Sequence, residues 1–350
     1  MVFCTFFDSN YLDKALVMYD SIKRNISAFT LYILALDEKC YYILNDLALD
    51  NVVVISVDEF EDKELKGIKG QRKKIEYYFT LTPCIIKYVL TVFREKECTY
   101  IDADLKFYAN PQILIQEIGE KSVQIVEHRF TQSLPDRIMR KQAGTYCTQF
   151  NTFKNQTESM ELLQLWREQC INECGIVDHK RGTAGEQGYL EDWSKYSFVS
   201  VLNHQGGGVA PWNIAQYRLH NSNQQHIEIQ RRDSGKIYKL VFYHFHDLCY
   251  LSKNKVNINV YSSHSHVDDE LVNVIYTEYL QELQEKKSFL QRKYNFYPLI
   301  VKHPGAKNEK ETFISKLTNM DDNIVINTIL RAYYKYLRLT QAKKDIRELN

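Results

Sequence analysis

Two carboxylates follow a short apolar segment, and their spacing indicates metal chemistry. Asp102 and Asp104 come directly after Cys98–Ile101, which we predict to be a strand. Side chains two residues apart in an extended chain point the same way, so these carboxylates would repel each other without a cation between them. A hard ion such as Mg²⁺ or Mn²⁺ takes a few protein oxygens together with substrate phosphate. Aspartates also close polar turns, but the apolar residues on both sides favour a metal site around Ala103.

Two places in the chain offer a histidine to such an ion. His204 lies just before a run of glycines, which can turn backbone N–H groups towards an anion, and a neutral imidazole is a good metal ligand. His244 and His246 share one face of a later predicted strand, where their spacing would also suit zinc. From the residues alone, His204 and this pair remain alternatives. The glycines after His204 are Gly206, Gly207 and Gly208.

Three further positions carry polar residues near predicted helix starts. Asp8 ends the first predicted strand, where it could cap the following helix or hold a ligand. Arg72 precedes a long predicted helix, and a cation there would neutralise charge on a phosphate. Glu186 and Gln187 open a later helix between two glycines, which would allow close approach of a ligand. An acid at a helix N-terminus also has a plain electrostatic explanation.

Alternating strand and helix patterns must position these residues. Runs rich in apolar and β-branched residues predict strands at Val2–Phe7, Phe29–Leu36 and Val52–Val57, with helical periodicity between them. This alternation predicts parallel strands with helices on both faces. A long helix is predicted over Lys74–Phe93, kinked or broken at Pro83. Later elements are predicted as strands at Ser122–Glu127, Tyr146–Phe153, Phe198–Leu202 and Tyr238–Phe245, and as a helix at Glu158–Cys174.

The chain after about Lys253 is more polar and has a helical pattern, with helices predicted over Asp268–Arg292 and Asn323–Leu339. We therefore predict an α/β catalytic domain over residues 1–252 and a helical C-terminal appendage over residues 253–350. The last helix combines basic and aromatic residues. It could rest on an anionic membrane surface or dock on the domain as an ordinary amphipathic helix.

Composition limits the function classes. Lys+Arg number 45 and Asp+Glu number 44, a balance that argues against a general nucleic-acid binder. We find no signal-peptide pattern and no segment near the roughly 18 apolar residues of a membrane span. The eight cysteines are scattered, so we expect reduced thiols and a cytoplasmic protein.

The Asp-x-Asp segment resembles that of the GT-A glycosyltransferases, in which the motif holds a metal on the donor diphosphate. From Val2 to Leu248 the order of elements is similar to glycosyltransferase family eight, the glycogenin and bacterial galactosyltransferase group, and to related bacterial surface-polysaccharide transferases. This resemblance implies a Rossmann-like GT-A fold with a mixed sheet. It also implies a Mn²⁺ or Mg²⁺ cofactor.

The resemblance further implies roles for individual residues. The first turn would hold the nucleobase and ribose, His204 would be the favoured third metal ligand, and Asn151, Glu186 and Gln187 would surround the donor sugar. Two departures stand out: Ala210 replaces the phosphate-binding lysine, and the residues after Asn151 do not follow the pattern Phe-Asn-x-Gly. The residues that we assign to binding of the nucleotide and its metal ion are Thr5, Phe7, Asp8, Arg72, Asp102, Ala103, Asp104, Gly206, Gly207 and Gly208.

We therefore expect the protein to transfer a sugar to a glycan or lipid-linked glycan. The resemblance implies that the donor is a UDP-sugar and that the configuration at the anomeric carbon is retained. If the reaction inverts, Glu186 becomes a candidate general base. A silent nucleotide-sugar or glycan-binding protein on the same fold is the main alternative. A nucleotidyltransferase is less favoured, because the first strand is not followed by a glycine-rich basic loop.

Overall fold

The computed structural model describes residues 1–175, 185–223, 226–262, 264, 266–301, 333, 335–337 and 340–349. The strands in this part of the chain are β1 Val2–Phe7, β2 Thr30–Ala35, β3 Val52–Ser56, β4 Glu97–Ile101, β5 Leu105–Phe107, β6 Val123–Glu127, β7 Tyr146–Lys154, β8 Val199–Val201, β9 Tyr217–Ser222, β10 Ile227–Arg231, β11 Ile237–Lys239, β12 Phe242–His244, β13 Cys249–Ser252, β14 Lys255–Asn257 and β15 Ile346–Glu348. The α-helices are α1 Leu12–Asn25, α2 Glu38–Leu47, α3 Val57–Phe60, α4 Lys63–Lys69, α5 Lys74–Val92, α6 Gln112–Gln116, α7 Leu134–Ala143, α8 Thr157–Asn172 and α9 Asp269–Tyr294.

A seven-stranded sheet forms the centre of the fold, in the order β3-β2-β1-β4-β7-β6-β8. The first four of these strands run parallel, whereas β7 lies antiparallel to both β4 and β6. The predicted mixed α/β sheet is therefore confirmed. The C-terminal ends of β1, β4 and β6 meet at one edge, where ligands bind in open α/β sheets.

Alternation along the strands divides the core into two layers. In β1 and β2, Phe3, Leu31 and Ile33 pack on one face with α1 and α2, whereas Cys4 and Leu34 pack on the other with α5 and α8. This period of two is what the apolar runs require of strands with both faces covered. Helices on both faces of the sheet are thus confirmed.

Two predicted elements differ from the observed ones. Helix α5 continues through Pro83, so the helix does not break into two. The single strand predicted over Tyr238–Phe245 is divided, because β11 pairs with β10 whereas β12 pairs with β5. The division occurs where the Val241 N–H donates to the Gly206 carbonyl at 2.8 Å, which turns the chain from one sheet to the other.

The C-terminal segment contains the predicted long helix, α9, and two short strands that were not predicted. Strand β14 pairs with β13 on one side and with β15 on the other, and the predicted boundary at residue 252 falls within the β13–β14 hairpin. The buried Asp345 carboxylate accepts N–H groups of Val260, Tyr261 and Ser262 at 2.7 Å each, which anchors the chain end. The predicted helix Asn323–Leu339 lies largely outside the described residues. No helix among the described residues is long and apolar enough to cross a membrane.

Candidate active site

The two aspartates lie where β4 ends and β5 begins. Asp102 follows Ile101, and Asp104 precedes Leu105. Strand β12 runs antiparallel to β5, and His244 is the register partner of Leu105. A residue 140 positions further along the chain is thereby brought beside Asp104, at the sheet edge where ligands bind.

One ligand atom each of Asp102, Asp104 and His244 can lie within 4.8 Å of the others. The His244 Nε2 atom is 2.9 Å from Asp104 Oδ1 and 3.6 Å from Asp102 Oδ2. Among the described residues, these three side chains of metal-ligating type lie close enough together to share one ion. Two carboxylates and one imidazole form an oxygen-rich donor set suited to Mn²⁺ or Mg²⁺.

Neighbouring side chains orient these groups. Gln149 Oε1 lies 2.9 Å from His244 Nδ1, and because an amide oxygen only accepts, Nδ1 carries the hydrogen. Nε2 is then the ring nitrogen that faces the carboxylates and is left to bind a metal. The Tyr100 hydroxyl donates to Asp102 Oδ1 at 2.9 Å. Such second contacts fix the tautomer and orientation of metal ligands, so the residues fit a divalent cation.

The charges of the three groups are strongly linked. Burial alone would raise the pKa of Asp104, but the adjacent His244 lowers it below its usual range. Burial raises the pKa of Asp102 despite the opposing effect of His244. Burial alone would lower the pKa of His244, but Asp104 and then Asp102 raise it. Because the two carboxylates favour a positive charge at His244, a divalent cation bound there would compete with a proton for this imidazole.

The favoured histidine, His204, is not brought to the aspartates. Its Nδ1 atom accepts the Gly206 N–H at 3.1 Å, and its ring packs edge-on against Tyr238 at 5.6 Å. The geometry therefore favours the alternative ligand His244. His246 lies next to it, with ring centroids 5.4 Å apart, but outside the three-residue group.

The glycine-rich loop does not present its first amides to an anion. The N–H groups of Gly206 and Gly207 bond within the loop to His204, and the Gly207 carbonyl accepts from the buried guanidinium of Arg129. A Cβ on Gly206 would lie 1.9 Å from the Lys239 carbonyl oxygen, and Gly208 has a φ of +82°. Close packing and turn conformation explain these glycines, so the predicted phosphate cradle is corrected for Gly206 and Gly207.

The three predicted nucleotide residues of the first turn, Thr5, Phe7 and Asp8, are all buried. Thr5 and Phe7 lie within β1, and Asp8 follows the strand and accepts the Asn10 N–H as the cap of a 3₁₀ turn, Ser9–Tyr11. The second oxygen of Asp8 accepts from Lys74 Nζ at 2.7 Å and from the Tyr78 hydroxyl at 3.1 Å. Asp8 is therefore paired with Lys74.

The side chain of Arg72 contacts the last turn of α8. Its guanidinium donates to the carbonyls of Cys170 and Ile171 and to the Thr80 hydroxyl. These carbonyls belong to the last turn of α8, where the negative end of the helix dipole attracts a cation. The structure therefore gives Arg72 a role in joining α5 and α8 rather than a place beside the aspartates.

Asn151 lies within β7, opposite Tyr100 in β4, and is fully buried. Neither polar atom of its side chain has a hydrogen-bond partner. The β4–β7 register places it two residues further from the end of β4 than Gln149. Gln149, two residues earlier, reaches that edge, because its carbonyl accepts the Asp102 N–H at 3.2 Å. Sequence reasoning missed Gln149, although a strand places its side chain on the same face as that of Asn151, two residues later, which was a usable signal.

Glu186 and Gln187 lie beside the start of β7. The Thr148 hydroxyl donates to Glu186 Oε1 at 2.7 Å, and Gln187 Nε2 donates to the Ala143 carbonyl at 2.8 Å. Glu186 is buried, whereas Gln187 is half-buried. The hydrogen bond from Thr148 of β7 places this carboxyl beside that strand.

Comparison with known proteins gave no matching family model. Two Bacillus subtilis (strain 168) proteins are similar in sequence. YfnD is 27% identical over 289 residues, which cover 81% of this chain and 88% of YfnD. YfnF is 27% identical over 300 residues, which cover 84% of this chain and 96% of YfnF.

Solved structures of glycosyltransferases also show similarity to this chain. The galactosyltransferase LgtC has a TM-score of 0.47 at 11% identity, covering 70% of this chain and 87% of its own. Mouse xyloside xylosyltransferase 1 has a TM-score of 0.42 at 13% identity, covering 71% and 98%. GlyE of Streptococcus pneumoniae TIGR4 has a TM-score of 0.39 at 15% identity, covering 59% of this chain and 46% of its own.

The buried carboxyl of Glu186 should leave a signature in stability. Burial raises the pKa of Glu186 to about 7 from the ordinary value of 4.5, although the Thr148 hydrogen bond opposes the shift. The folded state then holds a proton that the unfolded state releases. The resulting stabilisation is complete below pH 4.5 and is lost as the pH rises through 7, on the order of 3 kcal/mol in total.

We expect Glu186→Gln to remove this pH dependence and to raise the denaturation midpoint relative to the unsubstituted protein at pH 8. Urea unfolding at pH 5, 6, 7 and 8 measures the difference. Parallel pH profiles of the two proteins would mean that Glu186 titrates normally.

Proposed function

We propose that this chain is a metal-dependent glycosyltransferase that moves a sugar from a nucleotide-sugar donor to a carbohydrate acceptor. The observation that carries the proposal is the convergence of Asp102, Asp104 and His244 at the strand-end edge of the sheet. The motif resemblance to GT-A enzymes, and to family eight among them, supports it.

Asp102, Asp104 and His244 would hold Mn²⁺ or Mg²⁺ together with the donor diphosphate. The bound ion would supply Lewis-acid stabilisation of the leaving nucleoside diphosphate. The chain itself contributes the orientation of the ligands. Gln149 holds the imidazole and Tyr100 holds one carboxylate, so the ligands are arranged before the donor binds.

The nucleoside would lie towards β1, beside Asp8, Lys74 and Tyr78. The Asp8 carboxylate is already paired with both neighbours, so it is held in place for an incoming base. Lys74, which is paired with Asp8, would add a positive charge beside the nucleoside. A UDP-sugar is the donor class that the motif resemblance supports.

The donor sugar would lie on the β7 side, near Glu186 and Gln187. Gln187 Nε2 donates to the Ala143 carbonyl, and the amide oxygen of Gln187 would accept a sugar hydroxyl. A pKa of about 7 suits Glu186 to exchange a proton at neutral pH if the reaction inverts. Retention of configuration remains the outcome favoured by resemblance.

A donor screen tests this proposal. Purified protein is incubated with individual UDP-, GDP- and dTDP-sugars, and release of the nucleoside diphosphate is measured with Mn²⁺, with Mg²⁺ and with EDTA. We expect turnover of a UDP-sugar that EDTA abolishes and added Mn²⁺ restores. Absence of turnover with all donors, combined with tight nucleotide binding, would instead favour the silent binding protein. The lysine replaced by Ala210 is the observation that keeps this alternative open.

We further propose a cytoplasmic enzyme that touches the inner membrane face through its C-terminal helix, where a lipid-linked glycan would be accepted. In the described residues of that helix, Lys335 and Tyr336 are exposed, whereas Leu337 is fully buried. Truncation before residue 323 would also remove β15 and the Asp345 anchor, so substitutions provide the cleaner test.

We expect the protein to co-sediment with phosphatidylserine vesicles at low salt and to be released at high salt. The double variant Lys335→Glu, Tyr336→Ser should bind about tenfold less, because each basic charge near an anionic surface contributes roughly 1 kcal/mol. Neutral phosphatidylcholine vesicles are the control. Equal sedimentation of the variant and the unsubstituted protein would leave only a docked helix.

A further inference from the structure

An indole at the same sheet edge has no part in the metal site described above. Trp212 is partly exposed, and its ring makes edge-to-face contacts with three imidazoles, with centroid distances of 5.3 Å to His244, 5.4 Å to His246 and 5.4 Å to His128. Its Nε1–H donates to the His128 carbonyl at 2.9 Å. Because this is the only polar group of an indole, the part of Trp212 that a ligand can still use is its apolar ring.

The chain around Trp212 holds the ring in place. The fully buried Asn213 accepts the Ala210 N–H at 3.0 Å and donates to the carbonyls of His128 and Gly208. On the other side, His264 Nε2 lies 2.7 Å from the Pro211 carbonyl oxygen. An aromatic ring fixed in this way loses little conformational entropy when a ligand binds.

The position of Trp212 in the fold separates it from the nucleoside. Asp8 follows β1, Asp102 follows β4 and His128 follows β6, and these strands lie in that order across the sheet. A donor whose base lies at Asp8 and whose diphosphate lies at Asp102 occupies the first part of this edge. Trp212 is hydrogen-bonded to His128. It therefore lies beyond the diphosphate, in the region where the donor and acceptor sugars must meet.

We propose that Trp212 forms a platform on which a sugar ring of the acceptor stacks, with the His246 ring standing beside it at 72° to the indole. This inference rests on the proposed function. The C–H face of a pyranose would lie on the indole, as suits an aromatic ring whose polar group is already paired. The imidazole of His246, whose side chain is 52% exposed, would hydrogen-bond a sugar hydroxyl.

Tryptophan fluorescence gives a direct test, because the chain has three tryptophans and two of them are buried. Trp166 is 0% exposed and Trp193 is 3% exposed, so iodide should quench chiefly Trp212. The probes are the methyl glycosides of glucose, galactose, mannose and N-acetylglucosamine, added with Mn²⁺ and UDP present. We expect at least one glycoside to cause a saturable loss of quenching, and Trp212→Phe to remove the iodide-sensitive signal.

A pair of variants distinguishes stacking from support of the metal site. Trp212→Leu should raise the KM for the protecting glycoside about tenfold, whereas Trp212→Phe, which keeps a ring, should change it by less than about threefold. Calorimetric titration of UDP with Mn²⁺ into each variant provides the second measurement. We expect the glycoside KM to change much more than the UDP affinity.

Two results would overturn the platform. The first is that no glycoside protects Trp212 from iodide. The second is that Trp212→Leu weakens UDP binding as much as glycoside binding, which would make the indole a support for His244. If the glycoside protects Trp212 but no donor turns over, the platform stands and the proposed transferase activity fails.

Discussion

Replacing Asp104 by asparagine should lower the rate of nucleoside diphosphate release by about 10³-fold, the largest effect we expect from a single substitution. The change keeps the size of the side chain but removes the negative charge that faces His244 Nε2 at 2.9 Å. A metal held with one charged oxygen fewer would stabilise the leaving diphosphate poorly. Asp102→Asn should have a similar effect. Initial rates at saturating donor and Mn²⁺ measure both.

A matched control is Asp50→Asn. Asp50 forms a surface ion pair with Lys23 far from the cluster in sequence, and its side chain is 70% exposed. We expect unchanged rates for this variant, because exposed ion pairs contribute little. Thermal denaturation of all three variants should show intact folding. If Asp104→Asn keeps most of its activity, or if EDTA has no effect on turnover, the metal role is wrong.

The second large effect concerns the histidines. His244→Ala should weaken Mn²⁺-dependent UDP binding by about 100-fold, because it removes an imidazole whose tautomer is fixed by Gln149. His204→Ala should weaken it by less than about threefold, because the His204 ring bonds to Gly206 and packs on Tyr238. Calorimetric titration of UDP in the presence of Mn²⁺ compares the two variants. The reverse order of effects would return the ligand role to His204.

Much of the fold could be predicted because its signals are local. The apolar runs of β1, β2 and β3 and the periodicity of α1 and α5 lie within single elements. The short strands β14 and β15 could not be predicted, because three residues are too few to show a period. They form because β14 pairs with β13 on one side and with β15 on the other in the folded chain.

The candidate site was predictable where neighbours in sequence are neighbours in space. Asp102 and Asp104 satisfy this condition, and they lie together as expected. The choice of histidine depended on the pairing of β5 with β12, a long-range contact that no local pattern encodes. The same holds for Arg72, whose partners Cys170 and Ile171 lie in a distant helix.

The family motif was also misleading where this chain departs from it. A histidine followed by glycines at 204–208 suggested a metal ligand and a phosphate loop, but the loop is folded around the guanidinium of Arg129. Arg129 donates there to the carbonyls of Leu202, His204 and Gly207. A loop that turns carbonyls inwards to a cation has fewer amides to offer to a phosphate.

The most direct test of the metal site is a crystal grown with MnCl₂ and UDP and measured at the manganese absorption edge. We expect one anomalous peak within bonding distance of Asp102, Asp104 and the His244 Nε2 atom, and also of the UDP diphosphate. A bound UDP without manganese at these three residues, or a manganese ion bound at His204 instead, would contradict the proposed mechanism.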